Sequence, residues 1–217
     1  FVLRRGLFAL DEVSGLIRFA QQDADMMARI TGRLDAEGNQ TKLSLWDDPP
    51  QNLFGCFARS ERLVEPATQL LGEEIYHYHS KMMLKEPRTG GAWEWHQDYG
   101  YWYNYGCLRP AMISCLIALD RADRENGCLQ VLPGSQRLGR IDHGKVAGQT
   151  GADLERVQVL LEQGPPTYVE CEPGDVLFFD CNLLHRSDAN RSDRSRWSLI
   201  CCYNARSNSP YKQVRHS

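Results

Sequence analysis

The sequence predicts a mainly β, α+β fold: a β sandwich buttressed by N-terminal helices packed on one face. Three observations carry this. The spacing of apolar residues is helical up to Gly72 and switches to strand-like alternation from Glu73. Beyond that point short apolar runs recur between turn-forming clusters, Glu125-Asn126-Gly127, Pro133-Gly134-Ser135, Pro165-Pro166 and Pro173-Gly174-Asp175. Finally, 217 residues of which 42% are hydrophobic can bury one sizeable core, and sandwiches of this length commonly form one domain. Residues 1–217 are therefore expected to be a single domain, with a helical part at about 11–72 and a β core at about 73–204.

Taken in order, residues 1–10 suggest a strand running into a turn, with Asp11 as the N-cap of a helix reaching Ile30. Val13, Leu16, Ile17, Ala20, Ala24 and Met27 give that helix one apolar stripe. Residues 31–53, with Gly32, Gly38, Asn39 and Pro49-Pro50, suggest an irregular segment forming part of an active-site rim. Helical spacing returns from Phe54 to Leu71, with a fresh turn at Pro66, and Gly72 is suited to end it. Ile75, His77 and His79 then alternate with Tyr76, Tyr78 and Ser80, and further strands are expected near 92–98, 111–119, 128–132, 167–171, 175–180 and 197–204. Residues 136–166, rich in glycine and charge and including Arg137, Arg140, Asp142 and His143, suggest a long inter-strand insertion serving as a lid or a loose tip.

Composition narrows the function. A net charge of -3 leaves no basic excess for phosphates, which argues against nucleic acid as a partner. No apolar run approaches the roughly 20 residues that a membrane-spanning helix needs. The eight cysteines show no Cys-x-x-Cys pair and no zinc-finger spacing, and suggest buried free thiols of a reducing compartment, the cytoplasm.

The chemistry concentrates at Trp95-His96-Gln97-Asp98. In an extended strand, residues two apart share a face, so His96 and Asp98 would present an imidazole and a carboxylate side by side. A further histidine would complete a facial triad with open metal positions. His-x-Asp alone is a weak signal, because such triplets also mark turns and surface pairs. His185 follows the apolar run Val176-Leu177-Phe178-Phe179 and a polar loop, and Arg196 lies eleven positions on, at the start of another strand. A planar guanidinium there suits two-pronged binding of a carboxylate. The aromatic cluster Trp93, Trp95, Tyr99, Tyr101, Trp102, Tyr103 and Tyr105 flanks the triplet; most of it is expected to be packing, with one or two members lining a pocket.

His96-x-Asp98, His185 and Arg196, together with residues 125–135 (Asn-Gly-Cys-Leu, then Leu-Pro-Gly-Ser) and 173–179 (Pro-Gly-Asp-Val-Leu-Phe-Phe), resemble the phytanoyl-CoA dioxygenase family from about Tyr78 to Tyr203. That resemblance implies a double-stranded β-helix, the cupin-like jelly roll. It also implies Fe(II), 2-oxoglutarate and molecular oxygen, and hydroxylation of a small-molecule substrate with release of succinate and carbon dioxide. By the same resemblance His96, Asp98 and His185 hold the iron and Arg196 pairs with the distal carboxylate of 2-oxoglutarate. Gln97, Ser187 and Lys81 match positions near that co-substrate. The residues alone leave open a zinc-dependent hydrolase and a non-catalytic metal-binding cupin-like protein with the same ligands. Neither substrate nor oligomeric state is legible.

Overall fold

The computed structural model describes residues 1–212. The chain begins with β1 (Val2–Arg4), α1 (Leu10–Gln22), α2 (Ala24–Ala28), the hairpin β2 (Thr31–Leu34) and β3 (Gln40–Trp46), then α3 (Leu53–Ala58) and α4 (Glu61–Leu71). There follow β4 (Ile75–Lys85), β5 (Trp93–His96), α5 (Asp98–Trp102), β6 (Met112–Ala118) and β7 (Leu129–Val131). A second hairpin, β8 (His143–Val146) and β9 (Gln149–Ala152), leads through α6 (Leu154–Gln163) to β10 (Thr167–Val169), β11 (Val176–Asp180), β12 (His185–Ser187) and β13 (Arg196–Ala205).

Two antiparallel sheets face one another as a jelly roll: a 7-stranded sheet in the order β1-β11-β6-β13-β4-β3-β2 and a 4-stranded sheet in the order β10-β7-β12-β5. Strand alternation sorts the core. Leu199, Cys201 and Tyr203 of β13 pack outward against Leu16 of α1, Phe57 of α3 and Leu63 of α4. Ile200 and Cys202 point inward, with Leu116, Leu177 and Phe179, toward the smaller sheet. Burying each large apolar side chain contributes about 1.5–3 kcal/mol, so the helices are held by this outer face of the large sheet. At the Asn126-Gly127 turn, Gly127 has φ +76, and a Cβ there would lie 2.2 Å from the Asp188 carbonyl oxygen, so the close approach requires glycine.

The helices sit on one face as expected, but several boundaries differ. The first helix starts at Leu10, with Glu12 rather than Asp11 satisfying its start by accepting from the Ala9 N–H at 2.8 Å. It breaks at Asp23, whose carboxylate accepts the Met26 N–H at 2.7 Å and caps a new helix. The second helical stretch is likewise two helices, divided at Ser60, with Pro66 inside α4 and Gly72 in the left-handed conformation at its end. Residues 31–53 do border the site, but they are not irregular: β2 and β3 extend the large sheet beyond β4. The cause is the turn at Asp35, whose carboxylate accepts the Glu37 and Asn39 N–H groups and closes the hairpin. The 136–166 insertion is also ordered secondary structure. It forms a hairpin and a helix whose Ile141, Ala152 and Val157 pack on Trp95 and Leu184, a third small core behind the smaller sheet.

Candidate active site

His96 ends β5 and His185 begins β12, where they are paired residues of adjacent strands with ring centroids 4.0 Å apart. Asp98 is not on the strand with His96, as alternation suggested; the chain turns at Gln97 and Asp98 opens α5. The three side chains still converge. Asp98 Oδ1 lies 3.9 Å from His96 Nε2 and 4.0 Å from His185 Nε2, and one ligand atom from each residue lies within 4.8 Å of the others. All three are buried.

Their hydrogen bonds set them up as ligands. His96 Nδ1 meets the Glu94 carbonyl at 2.8 Å and His185 Nδ1 meets the Leu183 carbonyl at 2.9 Å. Nδ1–H donation to these carbonyls fixes the tautomer and leaves both Nε2 lone pairs facing Asp98. Burial drives both histidines below their ordinary pKa, His96 strongly so, with His185 adding to the effect there. Burial alone would raise Asp98, but Lys81, His185 and the Ser114 hydroxyl, which donates to Oδ2 at 2.5 Å, bring it net below its ordinary value. Two neutral imidazoles and an ionised carboxylate are the protonation states that a divalent metal requires. The Cys202 thiol lies 3.5 Å from Ser114 Oγ, and burial pushes it up to about 12.

Behind the triad lie two buried cations. Arg196 and Lys85 are register partners on β13 and β4, 5% and 0% exposed. Neither forms an ion pair with a carboxylate among the described residues, and Arg196 Nε has no hydrogen-bond partner. Lys85 Nζ donates to Ser187 Oγ at 2.9 Å and to the Asp188 carbonyl. Burial lowers Lys85 well below a usual lysine, with Arg196 contributing, and lowers Arg196 to about 10. Uncompensated buried cations are costly, and here two of them share one place. A carboxylate is the group that fits between them.

Of the residues singled out from sequence, the structure brings together His96, Asp98 and His185 at the metal position, and Arg196 and Ser187 at the cationic end. Gln97 is a correction. It is 0% exposed, donates to the Gly139 and Asn182 carbonyls, and accepts from the Ile141 N–H, so it clamps the insertion to the metal-bearing turn and faces away from the cavity. Lys81 points inward, but four residues from Lys85 it lies about 13 Å along the strand from the cationic end, farther than a five-carbon diacid spans. It lines a cavity of about 600 Å³ together with His79, His96, Asp98 and an aromatic set. That set is Trp93, Tyr101, Trp102 and Tyr105, more members than expected, while Trp95 and Tyr99 are core. Arg140 of the insertion pairs with Asp142 and lies over the Tyr103 ring. Sequence reasoning missed Lys85; its signal is an inward position shared with His79, Lys81 and Met83 on β4, closing the apolar run Met82-Met83-Leu84.

A jelly roll with a His/Asp/His set at its mouth and a buried arginine behind defines the iron(II)- and 2-oxoglutarate-dependent oxygenases, which take molecular oxygen as co-substrate. This chain belongs among them, in the phytanoyl-CoA dioxygenase (PhyH) family, whose profile matches residues 2–198. It is 29% identical to the ectoine dioxygenase of Bordetella bronchiseptica over 96% of this chain and 72% of that protein. It is 32% identical to the L-proline trans-4-hydroxylase of Streptomyces griseoviridis over 72% of this chain and 65% of that protein. The crystal structure of EctD from S. alaskensis with bound Fe superposes with a TM-score of 0.80 at 26% identity, covering 100% of this chain and 77% of that one. The same enzyme with 2-oxoglutarate and 5-hydroxyectoine gives 0.82 at 26% identity, covering 97% and 74%. No helix among the described residues is long and apolar enough to cross a membrane.

Proposed function

We propose that this chain hydroxylates a C–H bond of a small molecule, with His96, Asp98 and His185 holding Fe(II) and with Arg196, Lys85 and Ser187 receiving the distal carboxylate of 2-oxoglutarate. The observation that carries this reading is the pair of buried cations without a carboxylate partner, set behind a His/Asp/His triad. A zinc hydrolase has no use for a buried anion seat at that place, and neither does a cupin-like scaffold that only stores metal. When bound, iron with 2-oxoglutarate and dioxygen supplies an oxidation in which C–H becomes C–OH while the co-substrate yields succinate and carbon dioxide.

The residues have separable tasks. The two Nε2 atoms and Asp98 Oδ1 would hold the metal, and Ser114 holds Asp98 by its other oxygen. Arg196 and Lys85 would orient the co-substrate from its far end, leaving its keto-acid end directed toward the triad. Trp93 and Tyr101 stand over His96, at ring-centroid distances of 6.2 and 5.7 Å, and exclude water from the open face. Anaerobic titration with Fe(II) and 2-oxoglutarate is expected to give the weak visible charge-transfer band of the chelate. No band, together with tight retention of zinc, would overturn the reading.

A further inference from the structure

The cavity over the metal triad offers a small set of groups to a substrate. Lys81 is half-buried in its wall and has no hydrogen bond or ion pair with any described residue; its charge favours the ionised form of Asp98, a carboxylate committed to the metal site. Asp35 also lines the cavity, yet its oxygens already accept the Glu37, Asn39 and Ala92 N–H groups, which leaves it little capacity to bind a cation. Arg33 and His79 also line the cavity, and most of the remaining surface is flat and apolar: Trp93, Tyr101, Trp102 and Tyr105 with Leu43 and Leu45.

The cavity also has a fixed roof. Gln149 donates to the Leu34 and Ala92 carbonyls and accepts from the Glu94 N–H, which ties the β8–β9 hairpin to both β2 and β5. Tyr101 hydroxyl donates to the Thr150 carbonyl at 2.6 Å, and His143 Nε2 accepts the Gln97 N–H at 2.9 Å. Held at these points, the hairpin is a built wall, and with the co-substrate also present a cavity of about 600 Å³ suits a compact molecule.

We infer that the substrate is a compact carboxylic acid with a small ring or short aliphatic body, its carboxylate held by Lys81 and its body laid against Trp93, Tyr101, Trp102 and Tyr105. This rests on the oxygenase reading above, in which His96 and Asp98 of the same cavity wall carry the reacting iron. An acyl thioester of coenzyme A fits poorly, because a cavity of about 600 Å³ shared with the co-substrate is too small to take in the coenzyme.

The test is succinate release by the iron-loaded enzyme with 2-oxoglutarate, in paired trials of L-proline against L-prolinamide and L-pipecolic acid against its carboxamide, with hexanoyl-CoA alongside. At least one acid is expected to stimulate release and its amide and the thioester to fail. Lys81→Met should weaken that stimulation roughly 30-fold or more, as for truncating one partner of a buried hydrogen-bonded charge pair, and Lys81→Arg should restore part of it. Stimulation by an amide or by the thioester equal to that by the acid, no stimulation by either acid, or an acid preference surviving in Lys81→Met would each overturn the inference. The charge-transfer band of the Fe(II) and 2-oxoglutarate chelate separates the two levels. If Lys81→Met keeps the band, loss of stimulation is a substrate effect; if wild type lacks it, the oxygenase reading itself has failed.

Discussion

Lys85→Met should make the free protein more stable and the co-substrate bind more weakly. The side chain is 0% exposed, lies beside Arg196 and has no ion-paired carboxylate among the described residues. Methionine has similar volume and needs no solvation, so the cost of burying an amine, met either as an ion or by giving up its proton and amounting to as much as several kcal/mol, is removed. Against this stands the loss of hydrogen bonds to Ser187 Oγ and the Asp188 carbonyl, about 1 kcal/mol each. The expected balance is a gain of about 1–2 kcal/mol, seen as a Tm rise of roughly 2–8 °C for a chain of this size. Binding moves the other way: a hydrogen bond to a charged group contributes about 1.5–3 kcal/mol, or roughly 10- to 150-fold in the KM for 2-oxoglutarate. Thermal unfolding of the metal-free protein and succinate-release kinetics measure the two halves. A variant that unfolds at lower temperature yet uses 2-oxoglutarate normally would make Lys85 a structural tie and refute the reasoning.

Arg196→Ala should raise the KM for 2-oxoglutarate severely, since removing one partner of a buried charge pair costs about 3–5 kcal/mol, and Arg196→Lys should recover only part because a point charge cannot reproduce the fork. Normal use of 2-oxoglutarate by both variants would remove Arg196 from the site. Binding should also consume a proton: burial lowers Lys85 well below its ordinary value in the free protein, and an arriving carboxylate restores its charge. Affinity should therefore fall as pH rises above the free-state pKa of Lys85 and become independent of pH below it. Calorimetry in two buffers of different ionisation enthalpy measures the uptake, and its absence in wild type would refute a deprotonated Lys85 in the free protein.

Much of the site was legible because its residues sit where strand alternation and turn chemistry are strong. His185 closes an apolar run, Arg196 opens one, and Asn126-Gly127 declares its turn. What stayed hidden depended on tertiary context. Asp98 reaches the metal from a helix start rather than from the strand of His96, a difference that the same sequence spacing conceals. Gln97 stands between two ligands, yet its amide is spent on Gly139, Ile141 and Asn182, partners far along the chain. The β2–β3 hairpin escaped because the four residues of β2 are all exposed and lack the one-sided apolar pattern. Lys85 escaped because a lysine is read as solvated by default, and only the sheet register sets it against Arg196.

Cys202 stands one hydroxyl away from the carboxylate that faces the metal, Sγ to Ser114 Oγ and Ser114 Oγ to Asp98. Thiolate is the softest donor a protein offers and would recruit copper or zinc in preference to ferrous iron. Full burial, with the negative charge of Asp98 nearby, keeps this sulfur protonated, and a protonated thiol is a poor ligand and a poor nucleophile. In the metal-free protein, nitrogen and oxygen donors thus stay available at neutral pH while the sulfur at the next position is held protonated by the dielectric around it.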